Sequence, residues 1–294
     1  MTSTRTLLAT IAAASALVLA ACSGGGDPLA ADDPTSADDG ATTSQEGGSV
    51  TIGSANFTES EIIANLYAIA LEDAGVEVET KFQIGSREAY IPALGDGSID
   101  IIPDYTGNLL LFLDPETTAS AAADVNAALP PVLEEAGLAM LEPASAEDKD
   151  SVVVTAETAE KWSLTTIGDL AAHNAEVKLG APPEFAERAS GLPGLKDLYG
   201  FEPVEFVAIA DGGGPATVKA LVEGQVQAAN IYTTSPAIPA NNFVVLEDPE
   251  SNFAAQNVVP VLNADKVSDQ ITEILNAVSA ELTTEDLLAL NDQA

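Results

Sequence analysis

The side chain best suited to hold an anionic group is Arg188, which follows Pro182 and Pro183 on a short predicted helix. It is one of only 10 Lys and Arg residues in a chain of 294 residues that carries 46 Asp and Glu and a formal net charge of −36. A guanidinium binds a carboxylate through two parallel hydrogen bonds, which the point charge of Lys does poorly. The other interpretation is a surface ion pair, which would contribute only about 0–1 kcal/mol to stability. The residue type therefore indicates either a carboxylate clamp or a surface salt bridge.

Several other chemistries are excluded by the composition. The chain has one His, His173, and one Cys, Cys22, so we expect no intrachain disulfide, no Cys-rich metal site and little His-based catalysis. Residues 211–215 read Asp-Gly-Gly-Gly-Pro but lack the Gly-Lys-Ser/Thr ending of a phosphate-binding loop. The negative charge would repel nucleic acid, whose binding depends on cationic neutralisation of phosphates. We therefore predict a protein that is not an enzyme, with no catalytic residue, metal, cofactor or nucleic-acid partner.

The N-terminus carries the pattern of an export signal. Arg5 precedes an almost uncharged apolar run over residues 7–21, which at about 15 residues is shorter than the roughly 20 that a spanning helix needs. Residues 19–22 read Leu-Ala-Ala-Cys, which resembles the lipobox of bacterial lipoproteins, where the chain is cleaved on the N-terminal side of the Cys and the Cys thiol becomes diacylated. We predict a lipoprotein signal peptide over residues 1–21 and lipidation at Cys22. The alternative is an ordinary signal peptide with an incidental Cys.

Residues 22–49 are predicted to form a flexible acidic tether. They consist mainly of Gly, Ser, Thr, Ala, Pro and Asp, so they bury too little apolar surface to order themselves. A protein anchored and tethered in this way would sit on the extracytoplasmic face of the cell membrane, held there by its acyl chains.

From Val50 onward, apolar runs alternate with segments of helical spacing, which predicts an α/β fold with largely parallel sheets. The first helix is predicted to begin at an N-cap Thr58, with Glu61 as its capping-box partner. In the Ala-rich helix predicted around residues 119–135, Pro130 and Pro131 are expected to kink or split the helix. Strands are predicted near residues 50–53, 78–82, 99–102, 152–154, 177–179, 204–209, 226–232, 244–246 and 258–262. A body of about 245 residues indicates two lobes.

Several motifs occur in the order and spacing of one known family. They are Ile-Gly-Ser-Ala-Asn-Phe-Thr-Glu at 52–59, Gly-Ser-Arg-Glu at 85–88, Gly-Ser-Ile-Asp at 97–100, Pro-Asp-Tyr-Thr-Gly at 103–107, Pro-Pro-Glu-Phe at 182–185, Gly-Leu-Pro-Gly-Leu at 191–195 and Asp-Gly-Gly-Gly-Pro at 211–215. With this ordered set, the body resembles the osmoprotectant-binding (glycine betaine, carnitine, choline) substrate-binding proteins of ABC importers. The resemblance implies a two-lobed clamp of the type II periplasmic-binding-protein kind, each lobe a mainly parallel sheet flanked by helices. The implied lobes are residues 50–149 plus 258–294 and residues 150–257, with the chain crossing near Lys149 and Asn257.

The resemblance also implies a ligand site in the cleft between the lobes. In the family a cage of four tyrosines holds the quaternary ammonium group, and a basic residue, here assigned to Arg188, holds the ligand carboxylate. Tyr105 and Tyr232 fall on two cage positions, whereas Asp150 and Gln256 stand where the other two tyrosines are expected. Asp150 either neutralises a ligand cation directly or is a solvated loop residue. Further candidates for polar contacts with the ligand are Asn56, Asn108 and Asn257.

The function that follows is that of an exported, lipid-anchored receptor. It would capture a small zwitterionic or cationic solute and deliver it to ABC permease subunits, acting as a monomer. Because two cage tyrosines are absent, the same role for a different zwitterionic or amino-acid-derived solute is one alternative. A sensory lipoprotein with no transported solute is another, and a secreted hydrolase is disfavoured by the scarcity of His and Cys.

Overall fold

The computed structural model describes residues 49–294. The predicted signal peptide, Cys22 and nearly all of the predicted tether lie outside the described residues. The strands are β1 (Val50–Gly53), β2 (Val78–Lys81), β3 (Ile101–Tyr105), β4 (Leu138–Met140), β5 (Val152–Thr155), β6 (Lys178–Ala181), β7 (Glu205–Ala208), β8 (Ala228–Asn230), β9 (Phe243–Val245) and β10 (Val258–Asn263). The α-helices are α1 (Thr58–Asp73), α2 (Arg87–Gly95), α3 (Thr106–Leu113), α4 (Ala122–Glu135), α5 (Ala156–Trp162), α6 (Leu192–Tyr199), α7 (Pro215–Val222), α8 (Ala237–Ala240), α9 (Asp269–Glu281) and α10 (Thr284–Gln293). Among residues 49–294, no helix combines the length and apolar character that crossing a bilayer requires.

These strands form two five-stranded sheets with the same spatial plan, β2-β1-β3-β10-β4 and β7-β6-β8-β5-β9. In the first sheet β1 runs parallel to β2 and β3, whereas β10 runs antiparallel to β3 and β4. In the second sheet β6 runs parallel to β7 and β8, whereas β5 runs antiparallel to β8 and β9. The α/β class is as predicted, and four of the five strands in each sheet run in the same direction, with only β10 and β5 reversed.

The reversed strands are those that follow a crossing between the sheets. The chain passes from the first sheet to the second between β4 and β5, and it returns between β9 and β10. The two crossing segments lie side by side, because Glu147 and Asn257 form a β-bridge and the Asp148 N–H donates to the Gln256 carbonyl at 3.2 Å. We call the part built on the first sheet the first half and the part built on the second sheet the second half.

Each sheet carries apolar cores on both faces, because successive side chains of a strand point to opposite sides. In the first half, Tyr67 of α1 and Leu275 of α9 belong to one core, and Leu129 of α4 belongs to the other. In the second half, Phe201 and Leu221 belong to the two separate cores. Each half therefore has its own buried framework, and the loops at the strand ends are left to build a site.

One predicted helix detail is wrong, and of the two outcomes expected at the α4 prolines, kinking or splitting, splitting does not occur. The N-cap of α1 is Phe57 rather than Thr58, and its side chain makes no capping bond. Ser60, in the first turn, instead accepts a hydrogen bond from the Ala55 N–H at 2.9 Å. Helix α4 is not split at its two prolines, which lie inside the continuous span Ala122–Glu135. Burial of Leu129 and Leu133 on one face stabilises that helix and offsets the proline penalty.

Candidate functional site

A small cavity lies between the two halves, at the edge where the parallel strands end. Its volume is about 30 Å³, which is room for roughly two water molecules. The carboxyl ends of β1, β3, β6 and β8 and the amino ends of β5 and β10 reach the same edge of their sheets, so the flanking loops converge there. The cavity is lined by Ala55, Asn56, Phe57, Ser86, Arg87, Tyr90, Tyr105, Asn108, Asp148, Asp150, Glu184, Arg188 and Tyr232.

Four of the lining side chains are aromatic, and they come from both halves. Phe57, Tyr90 and Tyr105 belong to the first half, and Tyr232 belongs to the second. The Phe57 ring lies 6.0 Å from the Tyr105 ring and 5.2 Å from the Tyr232 ring, measured between centroids. Burial raises the pKa of Tyr232 and the Asp150 charge raises it further, so this phenol stays protonated. The rings present electron-rich faces that attract a cation.

The first half supplies a buried arginine, Arg87, at the start of α2. Its Nε and one Nη donate to Oδ1 of Asp104, and the Tyr90 hydroxyl donates to Oδ2 at 2.9 Å. Asp104 also accepts from the Tyr105 N–H at 2.7 Å. Burial lowers the pKa of Arg87, but the Asp104 charge outweighs burial and raises it, so the guanidinium stays charged. The Asp104 carboxylate thus holds one arginine and two tyrosines in place around the cavity.

The second half supplies Arg188, whose partners are weaker. It contacts Glu88 of the first half at 3.2 Å and Glu184 of its own half at 3.8 Å. Partial burial raises the pKa of Glu88, but hydrogen bonds from Ser86 and the backbone, with the Arg188 charge, outweigh burial and lower it. The Arg188–Glu88 pair therefore joins the halves across the mouth of the cavity, at distances longer than those of the Arg87–Asp104 pair.

Asp150 joins the two halves through amide hydrogen bonds. Its Oδ2 accepts from the Asn108 side chain at 2.6 Å, and its Oδ1 accepts from the Asn230 side chain at 3.0 Å. Both oxygens belong to a side chain that lines the cavity. Asp150 therefore gives the cavity lining a carboxylate that is hydrogen-bonded to both halves.

A second acidic cluster, Glu59 and Asp148, lies behind the aromatic rings. Glu59 Oε1 accepts from the Tyr105 hydroxyl at 2.7 Å, and Oε2 accepts from Thr234 Oγ1 and from Asn291 Nδ2, both at 2.6 Å. Asp148 accepts from the Thr234 N–H at 3.0 Å. Burial raises the pKa of Asp148 well above its ordinary value, and the Glu59 charge raises it further. Because Thr234 belongs to the second half, these bonds also tie the halves together.

Of the eight residues predicted to bind ligand, six line this one cavity. They are Tyr105, Arg188, Tyr232, Asp150, Asn56 and Asn108. Gln256 and Asn257 are not among the lining residues. The Gln256 Oε1 accepts from the Asn108 N–H at 3.0 Å, and the Asn257 side chain donates to the Ala144 carbonyl at 3.0 Å, so both support neighbouring backbone.

Three lining residues, Phe57, Arg87 and Tyr90, are not among the predicted site residues. Phe57 and Arg87 stand inside quoted motifs, at 52–59 and 85–88, so their positions were visible but their orientation was not. Tyr90 follows one helical turn after Arg87 and shares its face of α2, which is the signal that could have found it.

The glycine-rich turn at 212–214 leads into α7, with Pro215 as the first helical residue. Asp211 closes this helix terminus, because its Oδ2 accepts from the N–H groups of Ala216 and Thr217 at 2.7 and 3.1 Å. Asp211 thereby occupies the position that a phosphate would need.

Comparison with known proteins identifies relatives over almost the whole described part. The OpuAC family, described as the substrate-binding domain of ABC-type glycine betaine transport systems, matches residues 48–294. The glycine betaine-binding protein YehZ of Escherichia coli is 30% identical over 259 residues, which cover 84% of this chain and 85% of that protein. The carnitine transport binding protein OpuCC of Listeria monocytogenes is 25% identical over 253 residues, covering 84% and 81%. A solved glycine betaine/carnitine/choline ABC transporter structure superposes with a TM-score of 0.65 at 23% identity, covering 83% of this chain and 92% of that chain.

Proposed function

The chain belongs to the OpuAC family of ABC-transporter substrate-binding domains, and from this premise we propose that it captures a betaine-type zwitterion in the cavity between its halves. Such domains work on the extracytoplasmic side of an importer and hand a small solute to the permease. The observation that carries the proposal is the meeting of four aromatic rings, contributed by both halves, with Arg188 in one cavity.

A quaternary ammonium group has no N–H to donate, so its recognition depends on electrostatics and shape. Aromatic faces supply about 0.5–2 kcal/mol per desolvated contact. The rings of Tyr105, Tyr232 and Phe57 would surround the cation, and Asp150 would add a direct charge. This arrangement replaces the missing cage tyrosines with one carboxylate and one phenylalanine.

Arg188 is the better candidate for the ligand carboxylate. Arg87 is committed to Asp104 through two hydrogen bonds inside a buried network. Arg188 is held by longer contacts to Glu88 and Glu184, so a ligand carboxylate can displace these partners at a smaller cost.

Ligand capture requires the halves to separate and close again. A volume of about 30 Å³ is smaller than a betaine, so the lining residues must move apart to admit one. The contacts Phe57–Tyr232, Glu88–Arg188 and Glu59–Thr234 form only when the halves meet. A ligand that touches both halves shifts the population toward the closed form. We propose residues 50–149 plus 258–294 and residues 150–257 as the two moving lobes, hinged where the crossing segments pair.

The remaining features of the proposed role are export, anchoring and transport without covalent chemistry. We propose that residues 1–21 are removed, that Cys22 is lipidated, that the protein acts as a monomer with ABC permease subunits, and that it is not an enzyme. Replacing Cys22 with Ser should release the protein from the membrane fraction into the soluble fraction. A Cys22→Ser protein that stays membrane-bound would contradict the anchor.

Isothermal titration of the purified protein with glycine betaine, carnitine and choline tests the ligand proposal. Arg188→Ala should weaken glycine betaine by about 2–5 kcal/mol, because a desolvated charge pair is lost. Choline has no carboxylate, so Arg188→Ala should change the affinity for choline little. The matched control is Lys196→Ala, which removes a charge of the second half from an exposed pair with Glu202.

Comparing glycine betaine with choline distinguishes loss of a carboxylate contact from loss of the Arg188–Glu88 contact that joins the halves. If Arg188→Ala weakens glycine betaine and choline equally, Arg188 does not hold the carboxylate. If the native protein binds none of the three compounds, the ligand is a different solute or the protein is a sensory one.

A further inference from the structure

A second cavity of about 440 Å³ adjoins the binding cavity. The two cavities share three lining residues, Phe57, Asp148 and Tyr232. These residues therefore lie between a small cavity and a space more than ten times larger.

Of the three shared residues, Phe57 gives the wall an apolar ring. Its ring lies against the Tyr105 ring on one side and the Tyr232 ring on the other. Asp148 is held by Thr234, but Phe57 contributes no side-chain hydrogen bond to the cap of α1. The turn of the second half also approaches closely, since a Cβ at Gly212 would lie 3.0 Å from the Phe57 Cβ. Shortening Phe57 would join the two spaces without leaving a side-chain polar group unpaired.

The larger cavity has a definite chemistry. Pro215, Val218 and Ala237 give it an apolar wall, and Glu59, Asp148 and Asp211 give it acidic oxygens. The apolar wall suits a short hydrocarbon arm. The carboxylates of Glu59 and Asp211 would repel a second anionic group.

We propose that Phe57 is a specificity-determining residue that seals the binding cavity from this second cavity. The inference rests on the proposed function and deepens it. With Phe57 in place the protein takes compact zwitterions such as glycine betaine or carnitine. It excludes trimethylammonium compounds that carry an additional neutral acyl arm, because that arm would have to occupy the space of the Phe57 ring.

Titration calorimetry on the full-length protein tests this with butyrylcarnitine and succinylcarnitine. The two esters have arms of equal carbon number and differ in a terminal methyl against a carboxylate. The reference is whichever of glycine betaine and carnitine binds the native protein more tightly. We expect butyrylcarnitine to bind the native protein at least about tenfold more weakly than the reference. In Phe57→Ala the ratio of the butyrylcarnitine Kd to the reference Kd should fall by at least about tenfold. The same ratio for succinylcarnitine should not fall to a matching extent.

Two further variants guard against a folding artefact. Phe57→Leu, which removes less of the wall, should give a smaller gain of the same kind. Adding Ala237→Phe to Phe57→Ala refills the second cavity from its opposite wall and should restore the native discrimination. Circular dichroism and thermal unfolding establish that each variant is folded before titration.

The outcomes separate the inference from the proposed function. If the native protein binds the reference but the butyrylcarnitine ratio is the same in native and Phe57→Ala protein, the assignment of Phe57 is wrong and the betaine site stands. Equal gains for the two esters, or native protein that binds butyrylcarnitine as tightly as the reference, would also refute it. If the native protein binds neither glycine betaine nor carnitine, the proposed ligand and the inference both fail.

Discussion

Asp104 should be among the most sensitive positions of the molecule, because one buried carboxylate serves several donors. It is fully buried and accepts from Arg87, from the Tyr90 hydroxyl and from the Tyr105 N–H. Asp104→Ala would leave the guanidinium of Arg87, a residue only 7% exposed, without its counter-charge. Breaking a buried pair in this way costs about 3–5 kcal/mol. We expect a loss of free energy of unfolding in that range.

Urea unfolding followed by far-UV circular dichroism measures this loss as a fall in the midpoint at unchanged slope. The matched control is Glu202→Ala, which removes a carboxylate from the exposed Lys196 pair and should cost about 0–1 kcal/mol. The double variant Arg87→Met with Asp104→Leu should recover part of the loss, because no charge is left buried. Recovery should be incomplete, because the Tyr90 hydroxyl and the Tyr105 N–H still lack an acceptor, at about 1–3 kcal/mol each. A cost below about 1 kcal/mol for Asp104→Ala would refute the reasoning.

Other perturbations have equally definite signs. Because burial raises the folded-state pKa of Asp148 above its ordinary 3.8, its favourable contribution is present at low pH and is lost as the pH rises toward that folded-state pKa. Asp148→Asn should therefore gain thermal stability relative to native protein as the pH rises above about 4, and a pH-independent difference would contradict this. Gly107→Ala would place a Cβ 2.4 Å from the Ala255 carbonyl oxygen and should cost about 1–3 kcal/mol in thermal unfolding. Gly95→Ala is the helical control with no atom within 4 Å of its Cβ, and it should gain up to about 1 kcal/mol; equal effects at both glycines would argue against the packing at α3.

Much of the fold is predictable because its elements are local. The Val152–Val154 run and the Val258–Leu262 run are strands, as expected from apolar segments of this length. Their antiparallel direction was not predictable, because it depends on where the chain re-enters each sheet after a crossing. The proline pair does not split α4, because the burial of Leu129 and Leu133 outweighs the low helix propensity of proline.

The same distinction between local sequence and distant contacts applies to the site residues. Tyr105, Arg188 and Tyr232 stand at element ends, and the structure brings all three into one cavity. Arg87 and Phe57 were not singled out, because their roles depend on contacts with Asp104 and Tyr232 that are distant in sequence. Gln256 was selected by spacing alone. Its side chain instead accepts the Asn108 N–H, a contact that spacing does not reveal.

The pairing of the two crossing segments has a mechanical consequence. Glu147 and Asn257 form an isolated bridge between these segments, and the Asp148 N–H donates to the Gln256 carbonyl beside it. Sliding one segment along the other would break these bonds, whereas bending the pair as a unit would keep them. Any relative movement of the halves should therefore be a bend at this pair rather than a slide along it.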